Sequence, residues 1–332
     1  MNTGPIFIRG LSRSGGTLIV TLLDAHPDVA MSYELYPRLL DCGADGDAVL
    51  ERSAVAIAQQ GALSKDLDLP RDLRTFINRC IRGGIKPVDF AALVRSHQSN
   101  GYSFATDEGR YRFIEICCVA KQRAEGKKRW GLKCNNQYEQ YLEFWPDAKF
   151  IDIVRDARDV VASQQVTGAF NKDIDEATTG WVRTHSHFLE LVRSIPNQAY
   201  MLFYERLVAD AAGETAKLCE FLDLPFEPAM LEYYKRDLTI YRASHLSMNR
   251  ISRPIDASQV GRWKTILQHD DIARIDAIAG GLMATLGYQG DDDADRSERN
   301  SNHPTGTTEE RTRPESFQAT FREYLKGLLR RR

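Results

Sequence analysis

Gly10-Leu11-Ser12-Arg13-Ser14-Gly15-Gly16-Thr17 carries the most legible chemistry of this 332-residue chain. The apolar run Ile6-Phe7-Ile8 enters it, and a helical pattern from Leu18 to Ala25 leaves it. Strand, glycine-rich loop and helix together make an anion cradle, because successive backbone N–H groups and the positive end of the helix dipole converge on one point. The spacing Gly10-x4-Gly15 is that of a P-loop, yet Gly16 stands where such loops place their Lys. Thr17 keeps the hydroxyl position, and Arg13 supplies a cation from within the loop. The pattern predicts a phosphate site that lacks the point charge used on the β- and γ-phosphates of a nucleoside triphosphate.

Such a loop has to be held by a sheet. Short apolar runs at 5–9, 130–133, 149–154 and 199–203 read as strands, each followed by helical spacing. That alternation predicts an α/β fold, a P-loop-like parallel sheet flanked by helices on both faces. Ligands of such sheets sit at the carboxyl ends of the strands, where the loops of Arg13 and Arg155 emerge. Helical spacing at 47–60, 72–82, 88–100 and 110–124 fills residues 35–129, read as an insertion on the acceptor side of the site. Further helices are expected near 175–194, 212–222, 227–235 and 270–285. Residues 1–288 form one domain in this reading. Residues 291–316 contain no Val, Ile, Leu, Met, Phe, Tyr or Trp, so 289–316 is expected to be a disordered linker. In 317–332, Phe317, Phe321, Tyr324, Leu325, Leu328 and Leu329 share one helical face before Arg330-Arg331-Arg332. This basic amphipathic helix has three open destinations: its own domain, a partner, or peripheral contact with a membrane surface.

The flanks make the loop specific. Ser12 to Leu18, then Leu22-Leu23-Asp24-Ala25-His26-Pro27-Asp28-Val29, then Glu34, resemble the 5′-phosphosulfate loop of sulfotransferases that use 3′-phosphoadenosine 5′-phosphosulfate (PAPS). The similarity is nearest to the branch that includes tyrosylprotein sulfotransferases and bacterial relatives. Phe150 to Ser163, with Arg155-Asp156-Ala157-Arg158-Asp159 at its centre, resembles the strand–loop–helix that binds the donor's 3′-phosphate. Trp130-Gly131-Leu132-Lys133 and Val260-Gly261-Arg262-Trp263-Lys264 follow the expected order.

The resemblance implies in-line transfer of a sulfuryl group from PAPS to an acceptor hydroxyl or amine, leaving PAP. It implies Glu34 as general base, with Arg13, Lys133 and Ser247 around the transferring group and its leaving oxygen. The base would need its pKa raised by partial burial to work well near neutral pH. Arg13, Ser14, Gly15, Gly16, Thr17 and Leu18 are implied at the 5′-phosphosulfate, and Arg155 and Ser163 at the 3′-phosphate. Arg262 matches a nucleotide-contacting cation. Tyr204 matches a donor-site position and reads equally as a core tyrosine. Arg250 and Arg253, in a segment 249–255 expected to close over the nucleotide, are candidate phosphate contacts. Asp24, Asp28, Asp156, Arg158 and Asp159 read as caps and ion pairs. Two departures stand out: Gly16 replaces a loop Thr, and Thr167 replaces an Arg near the 3′-phosphate.

Composition narrows the rest. Forty-four Lys and Arg balance 46 Asp and Glu, so no global field favours nucleic acid. No apolar run reaches membrane-span length, and the first strand begins too early for a signal peptide, so a cytoplasmic enzyme is expected, with a membrane-peripheral tail as one option. The six Cys form no CxxC pair, and His185 and His187 point to different sides of a helix, so no metal is expected. Among acceptors, carbohydrate is favoured over peptide tyrosine, lipid or small metabolite; the oligomeric state is left open. The rival readings are a P-loop nucleotide kinase or hydrolase and a non-catalytic nucleotide-binding relative.

Overall fold

The computed structural model describes residues 4–168, 173–237, 240–242 and 244–288. The expected linker and the terminal amphipathic helix lie outside these residues. Five parallel strands form one sheet in the order β2-β3-β1-β4-β5: β1 (Ile6–Gly10), β2 (Val29–Tyr33), β3 (Arg129–Lys133), β4 (Lys149–Val154) and β5 (Ala199–Phe203). Four of them fall where the apolar runs predicted. The fifth, β2, was not expected: its five residues follow the Asp24–Asp28 turn so closely that they read as the tail of a helix end.

In chain order the helices are α1 (Gly16–Asp24), α2 (Gly46–Gln60), α3 (Arg71–Arg82), α4 (Pro87–Ser99), α5 (Asp107–Ala124), α6 (Tyr138–Phe144), α7 (Ala157–Thr167), α8 (Ile174–Ser194), α9 (Tyr204–Ala209), α10 (Ala211–Phe221), α11 (Met248–Ile251), α12 (Trp263–Ile266) and α13 (His269–Thr285). The segment expected as a helix at 227–235 is instead a 3-10 run, Pro228–Lys235, with a kink at Glu232. The helices of 35–129 are present. The last of them, α5, packs directly on β2 and β3 and so belongs to the layer that covers the sheet.

Side chains alternate across each strand and feed two cores. Phe7 points to one face, where the rings of Tyr141, Trp145, Phe150 and Trp130 surround it at 4.5–5.7 Å between centroids. Phe76, Phe90 and Phe113 extend that core through α3, α4 and α5. Ile6 and Ile8 point to the other face, against α1 and the segment around α9 and α10. A third core joins α7, α8, α12 and α13 around the fully buried Trp181.

Candidate active site

The register of the sheet fixes the site. Tyr33 pairs with Lys133 at the carboxyl ends of β2 and β3, so Glu34 emerges one residue past Tyr33 and beside Lys133. Lys133 Nζ donates to Glu34 Oε1 at 2.9 Å. Val154 pairs with Phe203 at the ends of β4 and β5, so Arg155 and Tyr204 leave side by side. The Arg155 guanidinium lies 4.7 Å from the Tyr204 ring centroid. Between these two pairs the central strand β1 emits the glycine-rich loop.

The loop turns on two left-handed residues, Arg13 (φ 78°) and Gly15 (φ 107°). A Cβ at Gly15 would meet Tyr204 Cδ2 at 2.8 Å and Ile153 Cδ1 at 2.9 Å, so this position requires glycine. Arg13 Nε donates to Ser163 Oγ at 3.0 Å, Gln164 Nε2 donates to Ser12 O at 3.0 Å, and Arg155 Nη1 donates to Arg13 O at 3.3 Å. Helix α7 thus braces the loop from the β4 side. Arg13 sits beside Arg155 and Arg250; burial and these like charges hold its pKa below the usual arginine range. Crowded guanidinium groups on a helix N-terminus describe a place for an anion.

Nearly all the residues singled out in the sequence meet here. Arg13, Gly15, Gly16, Thr17 and Leu18 line one cavity of about 880 Å³ together with Glu34, Lys133, Arg155, Ser163, Tyr204, Ser247 and Arg253. Arg262 lines an adjoining cavity of about 380 Å³, shared with Arg13, Arg155, Ser163, Thr167 and Arg253. Ser14 is the exception. Its N–H is spent on Leu11 O at 3.0 Å, and its hydroxyl is buried without a hydrogen-bond partner, so it stands behind the loop. In segment 249–255, Arg250, Ile251, Arg253, Pro254 and Ile255 line the larger cavity, and α11 reaches into its start.

The carboxylates expected to be structural are so. Asp24 accepts from Met31 N and Lys121 Nζ, and Asp156 caps α7 by accepting from Arg158 N at 2.8 Å. Asp159 accepts from Gly261 N at 2.8 Å and Trp263 N at 3.0 Å, which ties the fourth motif to the second. His185 pairs with Asp152 and His187 with Glu139. Among the described residues no group of three or more His, Cys, Asp or Glu side chains is placed to hold a metal ion, and no helix is long and apolar enough to cross a membrane.

The ionisation expected of Glu34 is corrected. Burial pushes its carboxyl up, but Lys133 and Arg79 overcome burial and bring it down to about 2. Arg79 was missed. It donates to Glu34 Oε2 at 2.9 Å and to the Glu34 carbonyl. A signal existed in the sequence: Arg71, Thr75, Asn78, Arg79 and Arg82 recur at helical spacing on α3, and all five line the cavity. Also missed was an aromatic group beside Glu34. Tyr33 and Tyr241 meet edge-on at 4.8 Å, and the Tyr33 hydroxyl lies 2.9 Å from His245 Nε2. His245 Nδ1 accepts from Ser247 N at 3.1 Å, so this ring anchors the turn that carries Ser247.

Known proteins align with this architecture. Protein-tyrosine sulfotransferase A of Caenorhabditis elegans is 23% identical over 295 residues, covering 85% of this chain and 67% of its own length. Protein-tyrosine sulfotransferase 1 of Danio rerio is 23% identical over 297 residues, covering 85% of this chain and 72% of its own. The solved sulfotransferase domain of the Synechococcus PCC 7002 olefin synthase superposes with a TM-score of 0.55 at 22% identity, covering 83% of this chain and 94% of that domain, a likeness of fold. Residues 5–228 match the profile of the sulfotransferase family. That span holds the loop, Glu34, Lys133, Arg155 and Tyr204, and the chain accordingly belongs to the sulfotransferase family and is a sulfotransferase enzyme.

Proposed function

We propose that the chain transfers a sulfuryl group from PAPS to an acceptor hydroxyl, with Glu34 as general base. The observation that carries this reading is the Glu34–Lys133 pair, 2.9 Å apart beside the anion loop, a proton acceptor and a cation at the same strand ends. The donor suits the residues present: Arg13, Arg155, Arg250 and Arg253 converge on the two cavities, and Arg155 Nε is buried without a hydrogen-bond partner. When bound, PAPS supplies the sulfuryl group and its 5′-phosphate leaves with the bonding pair. The N–H groups at the start of α1 and the Arg13 side chain hold the 5′ end. Arg155 and Ser163 hold the 3′-phosphate, the guanidinium through a charge-assisted contact. Glu34 would take the acceptor's proton as Lys133, together with Ser247, turns its charge to the leaving oxygen, which would remove one of the two cations that hold the Glu34 pKa down.

The acceptor side favours a negatively charged partner. Arg38, Arg71, Arg82 and Arg242 line the cavity away from the loop. We therefore place an acidic polypeptide bearing a tyrosine ahead of carbohydrate, in keeping with the names of the aligned relatives. The test is transfer from ³⁵S-labelled PAPS to an acidic tyrosine peptide, its phenylalanine analogue and neutral and anionic polysaccharides, with Glu34→Gln in parallel. Label is expected on the tyrosine peptide only, and Glu34→Gln should lose at least ~10²-fold in rate while still binding PAP. Label on polysaccharide alone would overturn the acceptor assignment. Full activity of Glu34→Gln would remove the base.

A further inference from the structure

Glu34 is one of three described non-glycine residues with positive φ, at 54°, a conformation costing on the order of 1–2 kcal/mol. Something has to hold it there. Its two carboxylate oxygens are divided between two cations: Oε1 faces Lys133 and Oε2 faces Arg79, each at 2.9 Å. The Arg79 fork also reaches the Glu34 carbonyl, so one guanidinium fixes both the backbone and the side chain of the same residue. Lys133 is oriented differently. A Cβ at Gly16 would lie 3.3 Å from Lys133 Cε, so this lysine touches the donor loop, whereas Arg79 comes from α3, on the acceptor side.

We propose that Arg79 is the positioning residue of the base: it locks Glu34 in its left-handed conformation and holds Oε2, leaving Oε1, the oxygen paired with Lys133, as the atom that takes the acceptor's proton. The proposal rests on Glu34 being the base. Lys133 serves two sites, the carboxylate and the donor loop, and Arg79 is the counter-charge dedicated to the carboxylate. The division of labour also gives one of the arginines of α3 its own role. An arginine 45 residues from Glu34 in sequence lies against a strand end, and helix α3 becomes part of the catalytic geometry.

Glu34 is faced by Lys133 from β3, Arg79 from α3, Tyr33 and Tyr36 from its own segment, and Tyr241 and His245 from the segment before α11. Of these, Lys133 and Arg79 are its cationic partners. The test compares wild type, Arg79→Gln, Arg79→Lys and Glu34→Gln by three readouts: carboxyl NMR titration of Glu34 in the donor-free protein, PAP affinity, and kcat with saturating PAPS. In Arg79→Gln the Glu34 carboxyl should titrate at higher pH than in wild type, PAP affinity should stay within ~3-fold, and kcat should fall roughly 10²-fold, the cost of a misplaced reacting group. Arg79→Lys, which keeps the charge without the fork, should restore the titration and leave kcat about 10-fold low. An Arg79→Gln protein with wild-type kcat, or one whose Glu34 titration does not move, overturns the proposal while an inactive Glu34→Gln preserves the base assignment. An active Glu34→Gln overturns both. Should Arg79→Gln not fold, Arg79→Lys with wild-type kcat is sufficient refutation.

Discussion

Replacing Gly15 by Ala should damage the enzyme through both its backbone and its packing. Gly15 has φ 107°, and the new Cβ would stand 2.8 Å from Tyr204 Cδ2 and 2.9 Å from Ile153 Cδ1. Neither neighbour can retreat. Ile153 is fully buried, and Tyr204 is 8% exposed beneath the Arg155 guanidinium. The backbone conformation costs an L-residue about 1–2 kcal/mol, and forcing a methyl into packed surroundings costs about 1–3 more. Together these are roughly 2–5 kcal/mol, divided between lost stability and a shifted loop. A shift of the loop moves the anion cradle and the neighbouring Arg13. Urea denaturation gives the stability part, and calorimetric titration with PAP gives the loop part. Each ~1.4 kcal/mol on the loop weakens PAP tenfold. Gly61→Ala is the control: φ is 66°, and nothing lies within 4 Å of its Cβ, so only the backbone cost of about 1–2 kcal/mol applies and PAP binding is untouched. If Gly15→Ala matches wild type in both assays, the packing argument fails.

Two further outcomes follow from buried groups. Asp159→Asn removes the charge that faces Arg155 at 3.3 Å and sets an amide against one of the two N–H groups of Gly261 and Trp263; roughly 2–4 kcal/mol of stability should be lost, read by urea unfolding, and an unchanged midpoint would mean the motif is held by other contacts. His97 is fully buried among Tyr102, Phe104 and Phe113 with neither ring nitrogen hydrogen-bonded, and burial brings its pKa down to about 4. The unfolded chain binds this proton first, so its contribution to stability is full above the unfolded pKa near 6.5 and is lost as pH falls toward 4. His97→Phe should flatten the fall in melting temperature between pH 7 and pH 5; an equally steep fall in the variant would assign the acid sensitivity elsewhere.

The parts of the site legible in the sequence were those made by local chemistry. The loop needs its glycines at a fixed short spacing, and Arg155 to Ser163 spans one strand end and the helix after it, so each motif is visible in a dozen residues. Glu34 was found through resemblance, but its ionisation was not. Two cations from 45 and 99 residues away decide it, and neither lies near it in the sequence. Tyr241 and His245 were missed for the same reason: nothing before the fold brings them to Tyr33. Strand β2 escaped because an edge strand of five residues has little periodicity to show, and its identity rests on pairing with β3.

The strand order has a consequence for how the chain is made. On a ribosome β1 and β2 emerge before the other three strands, yet neither pairs with the other. Both wait for β3, which begins at residue 129, and β1 then needs β4 from residue 149. While residues 34–128 are being made, the apolar Ile6–Gly10 and Val29–Tyr33 have no sheet to join, and only α1 and then α2 to α5 can form locally. Open strand edges of this kind invite wrong pairing while they last. Slow translation through α2 to α5 should therefore raise the demand for chaperones, and faster arrival at Arg129 should relieve it.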